Sequence, residues 1–181
     1  MKKQGVLIGL RVVIFDLEFS RKLYFSGYYG KPLAYPKPDK NFNSPLELSL
    51  IEAAYLSEKN IIVVLDLDGR KLDARSILSI GSKYIPRIDL LYMVYKDLRD
   101  KGYIVRSGMK FGADFALYEK GPGIDHAPYL VHVIKLDESI DPLELVRAGR
   151  LSHSVRKRFI LAIVNKETNS IRYISFTWHK V

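Results

Sequence analysis

Cysteine is absent from all 181 residues. That removes disulfide scaffolds, thiolate metal sites and cysteine nucleophiles together. Long apolar runs are missing too, and nothing approaches the ~18 residues of a membrane span. The run from Gly5 to Leu10 is broken by Arg11, short of the about 7–15 residues of a signal-peptide core. Asp16, Glu18 and Arg21 follow where a small-residue cleavage site would stand. The expectation is a cytoplasmic protein with no membrane association. Neither an HExxH motif nor a Walker A loop occurs, and the four His stand apart from any Asp or Glu cluster. No metal and no cofactor are therefore expected. Gly121-Pro122-Gly123 is too short and badly placed for a dinucleotide fingerprint, and no repeat or low-complexity segment is visible.

What is present is positive charge. Lys and Arg number 29 against 20 Asp and Glu, a net charge of +9. Such an excess points to an anionic partner, for a compact chain most often nucleic acid; the alternative is a highly charged, solvated surface. With 48% hydrophobic residues the chain can bury a core, which argues against disorder. The length suits one ordinary domain or two small ones. Abundant Ile, Tyr, Lys and Arg without cysteine also suit a thermophile.

Residues 5–15 read as a strand, and Leu23–Tyr29, rich in aromatics, as another. Three prolines and three lysines between Gly30 and Lys40 predict an exposed basic loop rather than a helix or strand. Ser44-Pro45-Leu46-Glu47 has the N-cap, Pro and Glu of a capping box and predicts a helix to about Glu58. A short strand over 61–65 and a helix over 73–79 follow. Pro86 opens a longer helix whose apolar face is Leu91, Val94, Tyr95 and Leu98, closed by Gly102. Strands are expected at 103–106, 113–118 and 129–135. Asp141-Pro142-Leu143-Glu144 starts a helix expected to reach about Lys157. Strands at 159–164 and 171–177, joined by a turn over 165–170, end the chain. The fold class is α/β (α+β): a small mixed α/β domain over 1–84, and a mixed sheet flanked by helices over 85–181.

Three features could carry chemistry. Tyr118 ends a strand and His126 sits in a Gly/Pro loop before the next, where catalytic groups often lie; a surface Tyr and a solvated His are the alternative. Arg150, His153, Ser154 and Lys157 share one face of the expected helix, either a phosphate-binding stripe or a solvated one. A Tyr, a His and a Lys together make a plausible metal-free ribonuclease set. RNA carries its own nucleophile, the 2′-OH, so cleavage needs a base, an acid and a cation for the transition state.

At these residues the sequence resembles the archaeal tRNA-splicing endonuclease family. Lys110-Phe111-Gly112-Ala113-Asp114-Phe115-Ala116-Leu117-Tyr118, the segment from His126 to His132, and Ser152-His153-Ser154-Val155-Arg156-Lys157 match its catalytic domain in order. The match is strong over roughly 85–181, while the first 84 residues agree in length and order of elements. The resemblance implies Tyr118 as general base, His126 as general acid and Lys157 as the transition-state cation, giving a 2′,3′-cyclic phosphate and a 5′-hydroxyl. Tyrosines ionise near pH 10, so such a base needs a neighbouring cation, which Lys157 would supply. It also implies a base clamp of Arg150 and Arg172 between opposed subunits. Arg172 as a solvated strand residue is the alternative. Lys31, Lys37 and Lys40 are the candidates for an extra RNA-contacting loop, with a solvated loop as the alternative.

The implied substrate is precursor tRNA with a bulge-helix-bulge at its exon–intron junctions. The implied assembly is a tetramer, either a homotetramer or a heterotetramer with a non-catalytic paralogue. An acidic loop would dock into a neighbouring subunit, either 137–141 or the turn around Glu167. A non-catalytic structural or RNA-binding subunit, and a metal-dependent nuclease, stay open as alternatives.

Overall fold

The computed structural model describes residues 3–35, 38–143, 145–146, 149–150 and 156–176. The chain is mixed α/β and divides into two compact units, Met1–Asp89 and Leu90–Val181.

In the first unit the expected strand over 5–15 is a hairpin. β1 (Gln4–Ile8) and β2 (Arg11–Ile14) pair antiparallel, Val6 opposite Val13, about the turn at Gly9-Leu10. Residues 23–29 are not a strand. They belong largely to α1 (Leu17–Gly27), capped by Asp16, whose carboxylate accepts from Phe19 N at 2.9 Å. Its buried residues Phe19, Ser20, Leu23 and Tyr24 recur at helical spacing. Lys31–Pro32 forms β3, a two-residue edge strand on β4, so the expected loop is in part a strand. Proline is tolerated at an edge because its missing N–H costs no ladder bond.

β4 (Leu46–Ser49) takes the place of the expected helix start. Leu46 and Leu48 are wholly buried and alternate with Glu47 and Ser49, a period of two. The capping box falls later: Ser49 Oγ accepts from Glu52 N at 3.2 Å while Glu52 Oε2 accepts from Ser49 N at 2.9 Å, opening α2 (Leu50–Glu58). β5 (Val63–Leu65) pairs parallel with β1, and β6 (Lys71–Leu72) closes the sheet in the order β3-β4-β2-β1-β5-β6. α3 (Ala74–Ser82) starts at its cap Asp73.

The second unit is built on α4 (Ile88–Asp100), which begins at the division between the units. Its end is a Schellman motif: Tyr103 N donates to Leu98 O at 3.1 Å, Gly102 N donates to Arg99 O at 3.0 Å, and Gly102 holds φ 92°. Leu91 is half-buried, while Leu90 and Tyr92 join Val94, Tyr95 and Leu98 in the core, a wider face than the sequence predicts. The helix lies across a sheet of β7 (Ile104–Ser107), β8 (Phe115–Tyr118), β9 (Tyr129–Lys135), β10 (Arg158–Asn165) and β11 (Ser170–Phe176), ordered β11-β10-β9-β8-β7. β9 and β10 run parallel and the other pairs antiparallel. Leu130, Val131, Val133 and Ile134 of β9 are all buried, so both faces of this central strand are covered.

Polar ties fix α4 to the sheet. The buried Arg99 donates to Tyr95 Oη at 3.0 Å and to Val105 O at 3.2 Å. Tyr173 Oη donates to Asp97 Oδ2 at 2.5 Å, and burial, reinforced by Asp97, pushes the Tyr173 hydroxyl pKa well above its ordinary value.

Residues 142, 143, 145, 146, 149 and 150 are helical. The helix does not reach Lys157, contrary to expectation. Arg156 takes a left-handed φ of 53° and β10 starts at Arg158. Lys157 therefore shares no helical face with Arg150, and His153 and Ser154 lie outside the described residues. Among the described residues no helix is long and apolar enough to cross a membrane.

Candidate active site

Strand register brings Tyr118, His126 and Lys157 to one end of the second sheet. Tyr118 is the last residue of β8, and its neighbour Leu117 pairs with Tyr129, the first residue of β9. Arg158 opens β10 opposite the same Tyr129, with Arg158 N donating to Pro128 O at 2.8 Å. The end of β8 and the starts of β9 and β10 thus lie side by side. His126 precedes β9 by three residues and Lys157 precedes β10 by one.

Tyr118 and Lys157 are tied to a common floor. Ala113, Ala116, Ala127 and Leu130 form a buried cluster, and Phe111 and Tyr118 pack against it half-buried. Ala127 directly follows His126, which is exposed. Lys157 Nζ donates to Ala127 O at 2.5 Å and lies 5.1 Å from the Phe111 ring centroid. Burial, aided by the nearby Lys110 ammonium, pulls the Lys157 pKa below the ordinary lysine value. Lys110 Nζ lies 4.8 Å from the same ring. The backbone leading into the turn that carries this ring is tight: a Cβ on Gly108 would fall 2.8 Å from Ala113 O and from Phe115 C and O, so glycine is required there.

The loop from Tyr118 to His126 is stapled by Asp125. Its carboxylate accepts from Gly121 N at 2.8 Å, Lys120 N at 3.0 Å and Glu119 N at 3.1 Å. Burial works against ionisation of Asp125, but these N–H groups outweigh it and hold its pKa below the usual carboxylate value. The staple is therefore complete at neutral pH and is lost only as pH falls through that lowered value. Asp125→Ala is expected to speed amide exchange at 119–121 by about tenfold or more, the worth of one charge-assisted hydrogen bond. Exchange by NMR or mass spectrometry measures it, and unchanged rates would dismiss the staple. Asp125 is not among the residues expected from sequence, although an Asp shortly after Gly-Pro-Gly is a turn signal.

The other expected residues lie elsewhere. Arg172 sits exposed on β11, paired with Ile163, six residues along the sheet from Lys157 or roughly 20 Å. Arg150 is exposed and helical. Lys31 is exposed on β3 in the first unit, Lys40 is exposed in a turn, and Lys37 lies outside the described residues. Of the two acidic loops, 137–141 is already engaged: Lys135 Nζ pairs with Asp137 at 2.8 Å and Glu138 accepts from Lys135 N at 3.0 Å. In the other turn Asn165 Oδ1 accepts from Glu167 N at 3.0 Å.

The histidines are not all apart from carboxylates. His132 Nδ1 lies 3.1 Å from Asp114 Oδ2, which also accepts from Val133 N. Among the described residues no three His, Asp or Glu side chains gather as a metal site would need.

Known proteins match along nearly the whole chain. Residues 3–78 match the tRNA intron endonuclease N-terminal domain, and 88–173 match the tRNA intron endonuclease catalytic C-terminal domain. A tRNA-splicing endonuclease of Hyperthermus butylicus is 56% identical over 98% of both chains. Those of Sulfolobus acidocaldarius and Saccharolobus islandicus are 52% and 48% identical, over 98% of this chain and 99% of theirs. With both domain models and such relatives agreeing, the chain belongs to the tRNA-splicing endonuclease family.

Proposed function

We propose that the chain is a catalytic tRNA-splicing endonuclease subunit that cuts precursor tRNA at bulge-helix-bulge junctions by attack of the RNA's own 2′-OH. The observation that carries this reading is the side-by-side arrangement of the β8 end and the β9 and β10 starts, in a chain of this family. Tyr118 accepts the 2′-OH proton as the 2′-oxygen bonds to phosphorus. The bond from phosphorus to the 5′-oxygen breaks, and His126 gives that oxygen a proton. Lys157 stabilises the extra negative charge on the phosphorus oxygens in the transition state. One proton leaves and one is returned, so a 2′,3′-cyclic phosphate and a 5′-hydroxyl form without consuming water.

The bulge is where such chemistry is accessible. Bases in an RNA duplex are hidden in a deep major groove, whereas bulged ones splay out and stack on guanidinium planes. Arg150 and Arg172 are our candidates for that clamp. Arg172 stands too far from Lys157 to hold a base at its own chain's site, which favours a clamp built across subunits. Two junctions per intron and one active site per chain favour a tetramer of this chain, or a heterotetramer with a non-catalytic paralogue. Lys31, Lys37 and Lys40 are candidate RNA contacts from the first unit.

The test is a cleavage assay on a bulge-helix-bulge RNA in excess EDTA, with the ends analysed and the native mass of the pure chain measured. The expected result is cutting at both junctions with cyclic-phosphate ends. Binding without cutting by a chain already assembled as a tetramer would make it a non-catalytic subunit. Cutting that stops in EDTA, or that leaves 3′-hydroxyl ends, would make it a different nuclease.

A further inference from the structure

Lys110 and Lys157 put their ammonium groups 4.8 and 5.1 Å from the centroid of one ring, Phe111. The two cations can therefore be no farther apart than those two distances together. Among the described residues neither pairs with a carboxylate: Lys157 donates to the neutral Ala127 carbonyl, and Lys110 is exposed. Cation–π attraction draws both ammonium groups to one ring, while their like charges repel. That repulsion is felt, since Lys110 contributes to the lowered Lys157 pKa. Two convergent cations without a counter-ion, at the strand ends that carry Tyr118 and His126, form a seat for an anion.

We infer that Lys110 is a second substrate-contacting cation, meeting from the solvent side the same phosphodiester that Lys157 meets from the sheet. The inference rests on the function proposed above and adds a residue to it. The short 3-10 turn Met109–Phe111 presents the lysine, and Gly112, at φ 66°, turns the chain back toward β8. Phe111 sets the distance, since its ring is anchored on the alanine–leucine floor. Lys110 itself is exposed, so its replacement leaves the core untouched.

The experiment compares Lys110→Met, Lys110→Arg and Lys157→Met with the unaltered full chain. Single-turnover cleavage of a bulge-helix-bulge RNA is read at saturating protein. Salt-dependent binding is read with the same RNA carrying 2′-deoxy sugars at the cut sites, which cannot react. Lys110→Met is expected to cleave about tenfold more slowly, a modest loss because the charge is solvent-exposed. It should also lower the slope of log affinity against log salt, by less than the about 0.7–0.9 of one whole phosphate contact because Lys157 still meets that phosphate. Lys110→Arg should keep the salt slope and most of the rate. Normal cleavage and an unchanged slope in Lys110→Met, beside an impaired Lys157→Met, would overturn the inference and leave the proposed function standing. A chain that never cuts the RNA, yet loses salt slope on Lys110→Met, would instead overturn the proposed function and keep the phosphate contact.

Discussion

Tyr118→Phe is expected to slow cleavage at saturating RNA by about 10²–10⁴-fold, the usual contribution of a positioned proton acceptor. The substitution removes one oxygen and nothing else. The Tyr118 ring is half-buried against Ala113, Ala116, Ala127 and Leu130, and a phenylalanine ring keeps that packing. Backbone pairing is untouched, since Tyr118 pairs with Ile104 through the main chain. Thermal unfolding and RNA affinity should therefore stay near those of the unaltered protein while the chemical step fails. Single-turnover kinetics at saturation separate the two, because a lost proton acceptor lowers the rate constant without raising the concentration needed to saturate. A variant that cleaves at the normal rate removes Tyr118 from the reaction. One that is slow but also unstable would place the hydroxyl in packing rather than chemistry.

The strands that carry this site were legible because they are short apolar runs between turn residues. The expected 129–135 coincides with β9, and 159–164 and 171–177 fall within a residue or so of β10 and β11. Errors arose where two local signals competed and tertiary burial chose. Ser44 to Glu47 and Ser49 to Glu52 both spell a capping box. The first loses because Leu46 and Leu48 are needed as alternate core residues on a strand between β2 and β3. Leu23–Tyr29 has strand composition, but burial at helical spacing from the Asp16 cap decides for α1.

The site shows the same division. Tyr118, His126 and Lys157 stand out in the sequence by residue type and order, yet their common location depends on register. Lys157 was expected on a helix beside Arg150. In the fold Arg156 is left-handed and Lys157 is not helical, and parallel pairing of β10 with β9 brings Lys157 to the Ala127 carbonyl. That pairing joins residues about 30 apart in sequence, beyond any local pattern. Asp125 and Phe111 passed unnoticed as site residues for the same reason. One is recognised by the three N–H groups it accepts, the other by the two ammonium groups over its ring.

Lys157→Met should lower the cleavage rate by about 10²–10³-fold, the loss seen when one charge-stabilising donor is taken from a transition state. Methionine fills much of the same volume and can still lie against Phe111, so the fold should hold. Lys157→Arg keeps the charge but spreads it over a planar fork that does not suit the single Ala127 acceptor, and only partial activity should return. The pH dependence gives a sharper criterion. Burial first, then Lys110, lowers the Lys157 pKa, and the proposed role of Lys157 needs the protonated ammonium. Activity should therefore fall as pH rises through a value below the ordinary lysine range. That fall should vanish in Lys157→Met, whose residual rate has no such cation to lose. In Lys110→Met it should move to higher pH, because one source of the depression is gone. An alkaline fall at the same pH in all three proteins would mean that another group titrates there, and Lys157 would then have no claim on the transition state.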